Sequence, residues 1–582
     1  MFANTCSGSA AGSDDVRVDI DAGKIVENVH PLLYGINTAR WDESIFPGPP
    51  EDRLLTADRD AIRKIRDAGF SVLKYPGGTD ADRYIWNNPY NNPAEMSTDE
   101  YAAFLNTVGA VGFITVNFNE TPELAAEWVH YTNKKRGYDI PYWEVGDEQW
   151  GWWARGHTEP GKYADRFVEF VKAMKAVDPG IKIAANVRPL DDVEGWTHQL
   201  LKNAGEYIDM VTFTFYPLTS GVNEDEDTLF ASIERFRKEY NTIRSVLRET
   251  LPAAKADTMW IIPVGYNSVN IYPGPITVSI ANALWVADML GTMSELGVQM
   301  ACYWAIHNAY PPRGGDYGVL TSDGTNTPNY SYYPFKMFTR HYGDTVVKSK
   351  SDDGRLSVYA SKSGKDSLSI VLINKDKSAS KNARISIKDF SPSKTAQRWI
   401  SNESQKYEQL PDITGISPYF TVEVPPYSMI IVQILRKGFE PPPDNKALGA
   451  DVTASSYSQA WPDLKPANAV DGKHYTRWAS KEWASDDGSD VQWLKVDLGK
   501  STPFNAIDIH WARGYGIEYT IDVSTDGSRW VPVFEKKEGG GGLDHFFSSP
   551  VEARYIRVKG TKGSRDISTY SIFNISVYYS KK

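Results

Sequence analysis

The sequence predicts an α/β chain made of a (β/α)8 barrel, an accessory β-sandwich and a separate C-terminal β-sandwich. Three observations predict it. Short apolar runs alternate with helix-length amphipathic stretches as far as residue 340. Beyond that the texture changes to short alternating strands with polar turns. The proline-rich stretch Pro441-Pro442-Pro443-Asp444-Asn445 then divides this second region in two.

The apolar runs 71–74, 113–117, 142–145, 182–185, 210–215, 259–263 and 300–304 read as buried strands. Between them, 56–68, 121–136, 163–177 and 277–296 read as helices. Strands separated by helices make βαβ units, and seven or eight such units close into a barrel. The helix at 121–136 carries its own punctuation. Thr121 can cap it, Pro122 suits its first turn, and Lys134, Lys135 and Arg136 sit at the negative end of its dipole. The barrel is assigned to residues 16–340, with the N-terminal strand around 16–20 joining the unit that follows.

Runs at 356–361, 368–374, 383–387 and 429–435 make 341–438 the accessory β unit. Residues 439–446 form a stiff linker and 447–582 a second all-β unit. The Ser/Gly/Ala-rich residues 1–15 read as a disordered leader. They carry neither a charged nor an apolar signal region and look like the start of a mature exported chain, so the protein is expected to be secreted or held at the cell surface. Cys6 falls in that leader and Cys302 in an apolar strand, and the two are not expected to pair. No run of about 20 apolar residues is present to span a membrane.

A chain of 582 residues exceeds one core and is expected to hold several domains. Its net charge of −11, from 63 basic and 74 acidic residues, argues against a nucleic-acid partner, which needs a basic face. The 18 Trp and 33 Tyr suit sugar-binding faces and large cores alike. His30, His130, His157, His307 and His341 show no metal-ligand spacing. Nothing in the sequence sets an oligomeric state.

Barrels of this kind do chemistry at the C-terminal ends of their strands. Lys74-Tyr75-Pro76-Gly77-Gly78-Thr79-Asp80 follows the second strand, where Gly77 and Gly78 allow close backbone approach to a ligand. Trp143-Glu144-Val145-Gly146-Asp147-Glu148-Gln149-Trp150 ends the fourth, and Phe215-Tyr216-Pro217 the sixth. Val264-Gly265-Tyr266-Asn267-Ser268 ends the seventh, and Trp304 closes the eighth.

In this order and spacing, over about 320 residues, these motifs resemble the clan A retaining glycoside hydrolases, closest to the family 51 α-L-arabinofuranosidases and to family 39-like enzymes. The resemblance implies two carboxylates, at the ends of the fourth and seventh strands. One protonates the leaving oxygen; the other, about 5–5.5 Å away, attacks the anomeric carbon. Glu148 matches the acid/base. At the nucleophile's place stands Gly265, which has no side chain to form a glycosyl intermediate. Two explanations compete: removal of the nucleophile from an active parent, which is preferred, or natural loss of retaining chemistry. Asp147 stands where the family usually has Asn on the sugar 2-hydroxyl, and Thr214 where relatives often carry His. Asp147 could raise the pKa of Glu148 by like-charge repulsion. Asp80, Asp82 and Asp316 are alternative bases.

The implied substrate contacts are Tyr75, Gly77, Gly78, Asp80, Asp147, Trp150, Tyr216, Tyr266, Asn267 and Trp304, with Tyr266 bonding the nucleophile. Trp143 and Trp304 fit barrel core or sugar platform equally. Trp150, Trp152 and Trp153 fit a binding wall in a loop. The chemistry requires no cofactor, and the substrate is a poly- or oligosaccharide, furanoside-bearing by resemblance. Galactofuranosides, xylosides and endo-acting cleavage remain open. So does a non-catalytic carbohydrate-binding protein on a degenerate barrel.

Residues from 447 contain Asn468-Ala469-Val470-Asp471-Gly472, Thr476-Arg477-Trp478-Ala479, Trp493-Leu494-Lys495-Val496-Asp497-Leu498-Gly499, Val523-Ser524-Thr525-Asp526-Gly527 and Arg554-Tyr555-Ile556-Arg557-Val558. They resemble the discoidin, or factor V/VIII C-type, sandwich of family 32 carbohydrate-binding modules. The same sandwich binds sugars, lipids and proteins, and the hydrolase-like neighbour makes sugar the leading choice. Trp461, His474, Trp511, Arg513 and Tyr515 are candidate ligand contacts on loops. Asp471, Thr476 and Asn574, the last standing in for a family Glu, are candidate ligands of a structural Ca²⁺.

Overall fold

A computed structural model describes residues 14–46, 58–88, 91–188, 195–219, 225–310, 314–438, 445–459, 464–472, 476–482, 490–512, 514–564 and 569–579. Its contacts divide the chain into two units. One holds the barrel and the accessory sheet; the other holds the C-terminal domain with two short segments near residues 106–109 and 131–139.

The chain begins with β1 (Asp14–Asn28), which does not belong to the barrel. Eight parallel strands close the barrel: β2 (Gly35–Asn37), β3 (Val72–Tyr75), β4 (Val111–Val116), β5 (Tyr142–Val145), β6 (Lys182–Asn186), β7 (Met210–Phe215), β8 (Trp260–Tyr266) and β9 (Cys302–Tyr303). The sequence does not signal β2, because three residues are too few to show a period. The stretch read as a helix at 121–136 is an α-helix over Pro122–Val129, capped by Thr121 accepting from the N–H of Leu124, followed by a π-helical turn over His130–Lys135.

Side chains alternate across each strand, so every second residue points into the barrel. The lower interior is apolar, with Val72, Phe113, Ala184, Met210, Ile262, Met300 and Cys302 packed together. Two residues further along the same strands the interior turns polar: Lys74, Thr115, Glu144, Asn186 and Thr212 are all at most 3% exposed. This polar layer lies directly beneath the C-terminal mouth.

After the β10 (Ala309–Tyr310) and β11 (Gly315–Asp316) ribbon, a helix over Tyr332–His341 leads into the accessory unit. Its strands are β12 (Thr345–Ser351), β13 (Leu356–Ser363), β14 (Ser367–Asn374), β15 (Lys381–Lys388), β16 (Pro392–Ser401), β17 (Lys406–Thr414), β18 (Tyr419–Val424) and β19 (Ser428–Arg436). A two-sheet sandwich is expected here, but the structure holds one continuous nine-stranded sheet in the order β17-β16-β19-β14-β13-β12-β1-β15-β18. The sheet curls around its own core, in which Val18, Ile20, Ile370, Leu372, Ile385, Val422 and Val432 meet. A strongly curled sheet buries one face against itself, so no second sheet is needed. β1 pairs antiparallel with β12 and parallel with β15. The helix Ile280–Glu295 packs between barrel and sheet, buried from Ile280 to Ser294. Its buried Asp288 is satisfied by the hydroxyl of Tyr359 at 2.6 Å and the ammonium of Lys375 at 2.9 Å, both from the sheet.

The C-terminal unit is a β-sandwich built from β20 (Asp451–Ala454), β21 (Trp478–Ala479), β22 (Gln492–Trp511), β23 (Gly516–Ser524), β24 (Val531–Lys536), β25 (Leu543–Gly563) and β26 (Ser571–Tyr578). The order is β21-β26-β22-β25-β23-β24, with β20 on β22. β22 and β25 run together through two register breaks, and they enclose a core that includes Trp478, Ile507, Trp511, Tyr519, Ile556 and Ile572. Among the described residues no helix is long and apolar enough to cross a membrane.

Candidate active site

The mouth of the barrel is shaped first by backbone. Gly77 (φ 116°) and Gly78 (φ 52°) turn the chain after β3. A Cβ on Gly77 would stand 2.7 Å from that of Ala39, and one on Gly78 would stand 3.1 Å from the indole of Trp304, so only glycine permits these approaches. After β5, Glu148 itself takes φ 54°, a left-handed conformation uncommon for a glutamate, and one that clusters at functional sites. The turn presents two successive carboxyls, Asp147 and Glu148, to one cavity of about 310 Å³.

Glu148 is held at both oxygens. The indole N–H of Trp153 donates to Oε2 at 2.7 Å, and the hydroxyl of Thr214 bonds Oε1. Burial pushes the Glu148 carboxyl above the usual range, against the pull of these two hydrogen bonds. An indole N–H can only donate, so it keeps Oε2 bare and leaves Oε1, on the Thr214 side, as the oxygen able to carry a proton.

Asp147 is buried. Its backbone N–H donates to Oδ2 of Asp82 at 3.0 Å, and its Oδ1 lies 3.5 Å from the ammonium of Lys74. Burial pushes its carboxyl up to about 7, with Lys74 drawing it back, and Glu144 and Glu148 adding repulsion. Asp147 and Glu148 therefore titrate as a pair, both above the ordinary range. Lys74 also meets Glu144 Oε2 at 3.0 Å. Burial disfavours the Lys74 ammonium, but Glu144 and Asp147 outweigh it and hold its pKa above the normal value. Glu144 accepts further bonds from Thr115 at 2.7 Å and Asn186 at 3.2 Å. The polar layer thus forms a hydrogen-bonded floor beneath the two carboxyls.

Opposite them, β8 slips against β7: Phe213 faces Pro263, but Thr214 already faces Gly265. This bulge inserts Val264, and both Val264 and Gly265 line the cavity. A Cβ on Gly265 would stand 2.9 Å from the hydroxyl oxygen of Tyr216. Gly77, Gly78, Asp80, Tyr216 and Trp304 also line this cavity, as expected from sequence. Trp150 lies just beneath it, half-buried beside Asp147 and Glu148.

Besides Trp150, three expected contacts do not reach the cavity. Tyr75 lies on the outward side of β3, stacked on Tyr101 with its hydroxyl donating to the carbonyl of Met96. Past the bulge, Tyr266 faces outward too, against Trp285 and Tyr303. Asn267 is buried, and its amide donates to the carbonyls of Trp304 and Tyr317, tying loops together. Trp143 is core, packed on Trp128. The alternative bases are also engaged. Asp80 pairs with Arg40 at 2.8 Å, Asp82 accepts three N–H bonds, and Asp316 receives the backbone N–H of Gly318.

Sequence reasoning missed Asn37, Lys74 and Trp41, which line the cavity. The amide of Asn37 donates to the carbonyls of Val264, Cys302 and Tyr303, leaving its Oδ1 buried and without a partner among the described residues. The overlooked signal was a polar residue at alternate positions of an apolar strand. A wider cleft of about 630 Å³, around Asp288 and Lys375, lies elsewhere in this unit and contains no adjacent pair like Asp147 and Glu148.

In the C-terminal unit, Trp511 is not a loop contact. It is 3% exposed, packs edge-on against Tyr519, and donates to Asp544 at 3.0 Å. It ends a strand whose inward residues build the core, which is why it is buried. Tyr515 is half-buried against the same core. Trp461, His474 and Arg513 lie outside the described residues. Both carboxylate oxygens of Asp471 accept from the hydroxyl of Thr476, at 2.7 and 2.8 Å. Asn574 sits within β26, its amide on Ser576 and its Oδ1 unpartnered among the described residues.

Residues 451–573 match the model of the F5/8 type C domain. The probable α-L-arabinofuranosidase C of Aspergillus clavatus is 24% identical over 223 residues, covering 32% of this chain and 44% of that protein. The intracellular exo-α-(1→5)-L-arabinofuranosidase of Streptomyces lividans is 24% identical over 242 residues, covering 34% and 37%. The chain thus spans less than half the length of these curated relatives. Among solved structures, the thermostable family 51 α-L-arabinofuranosidase of Thermotoga petrophila RKU-1 superposes with a TM-score of 0.62 at 19% identity, over 72% of this chain and 100% of that one. The family 44 xyloglucanase of Paenibacillus polymyxa gives 0.55 at 15%, over 73% and 100%. The chain is therefore similar in fold to family 51 α-L-arabinofuranosidases through its barrel and nine-stranded sheet, and similar to the F5/8 type C domain through residues 451–573.

Proposed function

We propose that this chain is an exported glycoside hydrolase acting on furanosides of a polysaccharide, in a form whose nucleophile position is vacant. Glu148 is the proton donor. The observation that carries this reading is its carboxyl at the rim of the cavity, oriented by Trp153 and Thr214 and shifted by burial toward the protonated form. A protonated carboxyl placed on the leaving oxygen is what cleavage of a glycosidic bond requires. Asp147, Asp80 and the orphaned Oδ1 of Asn37 offer acceptors to sugar hydroxyls, and the ring of Trp304 offers a wall. Curated relatives named as arabinofuranosidases favour arabinose as the sugar. The F5/8 type C match favours a second carbohydrate contact through the C-terminal domain.

With Gly265, the double displacement has no carboxylate to attack the anomeric carbon. The site then binds its sugar and presents an acid without completing hydrolysis by retention. The proximity of Tyr216 to Gly265 favours a second reading, a carbohydrate-binding protein on a barrel that has closed over the lost group. Hydrolysis of a panel of aryl furanosides and pyranosides by the chain as it stands and by Gly265→Glu separates them. Activity confined to the glutamate form supports a silenced hydrolase and names the sugar. Sugar binding with no activity in either form supports the binding protein. Activity already in the glycine form rejects the assignment of two carboxylates.

A further inference from the structure

The barrel closes where its last strand meets its first, and that seam is short. β2 and β9 share two registered pairs, Gly35 with Cys302 and Ile36 with Tyr303. Two backbone pairs align the strands but leave the loops beyond them to be held by side chains. Those loops carry Trp41 and Trp304, and both indoles line the cavity. Shortly after β9 comes a buried histidine that the cleavage chemistry does not use. The side chains of His307 and of its neighbour Asp42 are both 2% exposed.

The partners of the two ring nitrogens fix the protonation of His307. Nδ1 stands 2.8 Å from Oδ2 of Asp42, and Nε2 stands 2.9 Å from Oδ1 of Asn326. The Asn326 amide cannot be turned round, because its nitrogen donates to Oδ2 of Asp58 at 2.8 Å. Asp58 caps the helix Arg59–Asp67, its other oxygen accepting from the N–H groups of Asp60 and Ala61. Lys64 of that helix donates to the backbone carbonyl of Asn326 at 2.8 Å. An oxygen therefore faces each ring nitrogen, and a histidine donates from both only as an imidazolium. An imidazole is a stronger base than a carboxylate, so the proton shared with Asp42 rests on the ring. Burial opposes the charge, yet Asp42, Asn326 and the charge of Asp316 outweigh it and hold the ring's pKa above the ordinary value.

The two ends of this ion pair belong to different loops. Asp42 adjoins Trp41 in the loop after β2. His307 adjoins Asn308, whose Oδ1 accepts from the indole N–H of Trp304 at 2.8 Å. The backbone N–H of Asn308 is held in turn by Asp316 at 3.4 Å. A neutral ring keeps one N–H, so deprotonation leaves either Asp42 or Asn326 facing a bare nitrogen. Two acceptors then confront each other in a buried place, where such a contact repels.

We propose that His307 is a positioning residue: as an imidazolium between Asp42 and Asn326 it clasps the loop after β2 to the loops after β9, fixing Trp41 and Trp304 as adjoining walls of the cavity, and its deprotonation releases them. The clasp is closed below the raised pKa and opens as pH rises through it. What the walls grip rests on the glycoside-cleaving reading above; the clasp itself does not.

Two readouts on the full chain test the clasp. Nitrogen-15 spectra of histidine-labelled protein should show both ring nitrogens of His307 protonated at pH 7. Its signal is identified by absence in His307→Gln or, should that variant not fold, by displacement in Asp42→Asn. Hydrogen exchange read by mass spectrometry should show residues 36–46 and 304–309 losing protection together as pH rises through that titration. Asp42→Asn removes the counter-charge and should move both events down by about one pH unit or more. In His307→Gln this pH-dependent loss should vanish. A ring neutral at pH 7, or a native pH dependence surviving in His307→Gln, overturns the clasp.

Calorimetry with methyl α-L-arabinofuranoside separates the clasp from the reading of the site. The native chain should bind this probe about tenfold more weakly above the His307 titration than below it, a fall absent from His307→Gln. Binding indifferent to that titration overturns the positioning role and leaves the sugar reading intact. No binding at any pH, with exchange that follows His307, upholds the clasp and counts against the furanoside reading.

Discussion

A β-carbon on Gly265 would stand 2.9 Å from the hydroxyl oxygen of Tyr216 and 3.7 Å from the ring carbon that bears it. The first distance is a clash; the second is ordinary contact. Any side chain at 265 must therefore displace that oxygen, and it also presses on Cγ2 of Thr214 at 3.3 Å. Overpacking of this kind costs about 1–3 kcal/mol. Gly265→Glu is expected to lose stability in that range by urea denaturation, and Tyr216→Phe added to it should recover most of the loss. Equal stability of the single and double variants would mean that Tyr216 swings aside freely.

The pH dependence of the glutamate-265 form should report the Glu148–Asp147 pair. A general acid works only while protonated, so activity falls as pH rises through the raised pKa of that pair. Trp153 donates to Glu148 and thereby favours its ionised form. Removing the donor with Trp153→Phe should raise the pKa further and move the basic limb of the kcat/KM profile to higher pH. Glu148→Gln should cost about 10²–10⁴-fold in rate on a substrate with a poor leaving group. A basic limb unmoved by Trp153→Phe would place the titrating group elsewhere.

Lys74 is 1% exposed and meets Glu144 at 3.0 Å and Asp147 at 3.5 Å. Lys74→Met would leave two buried carboxylates without their counter-charge, at a cost of about 3–5 kcal/mol. Asp147, already raised by burial and no longer drawn back by Lys74, would then move further toward the protonated form. The measured loss should accordingly shrink at low pH, where protonation removes the charge. A loss that grows on acidification would contradict this account of the floor.

In the C-terminal unit, Trp511→Ala should destabilise by about 3–5 kcal/mol, because a buried indole and its bond to Asp544 are both lost. We propose that the hard oxygens of Asp471, Thr476 and Asn574 hold a calcium ion, in which case calcium raises the Tm of this unit. Asn574→Ala should diminish that rise. A Tm indifferent to calcium in the native chain removes the metal from this site.

The strands were legible wherever a run was long enough to show its period, as at Met210–Phe215. They were illegible at Gly35–Asn37, where three residues carry no pattern. The turn that brings Asp147 and Glu148 to the cavity was legible because the order of its residues is specific. Which side chains face the mouth was not. Alternation along β3 puts Lys74 inward and Tyr75 outward, and a sequence shows the alternation without showing its phase. In β8 the phase itself breaks at the bulge, sending Tyr266 out to Trp285 while Gly265 stays in. A bulge is decided by how two strands pair, information that neither strand carries alone. The curled accessory sheet escaped for a related reason: alternating strands read the same whether they form two sheets or one rolled upon itself.

Residue 18 lies opposite residue 351 on one side and residue 385 on the other. β1 must therefore wait, unpaired on both edges, until β12 and β15 have been synthesised after it. A strand of 15 residues with two open edges is a template for joining another molecule. A chain ended at residue 340 would keep the whole barrel sequence yet strand β1 permanently in that state. Such a truncation should yield inclusion bodies, whereas removing residues 1–28 as well would trade that hazard for an accessory sheet that can no longer be completed.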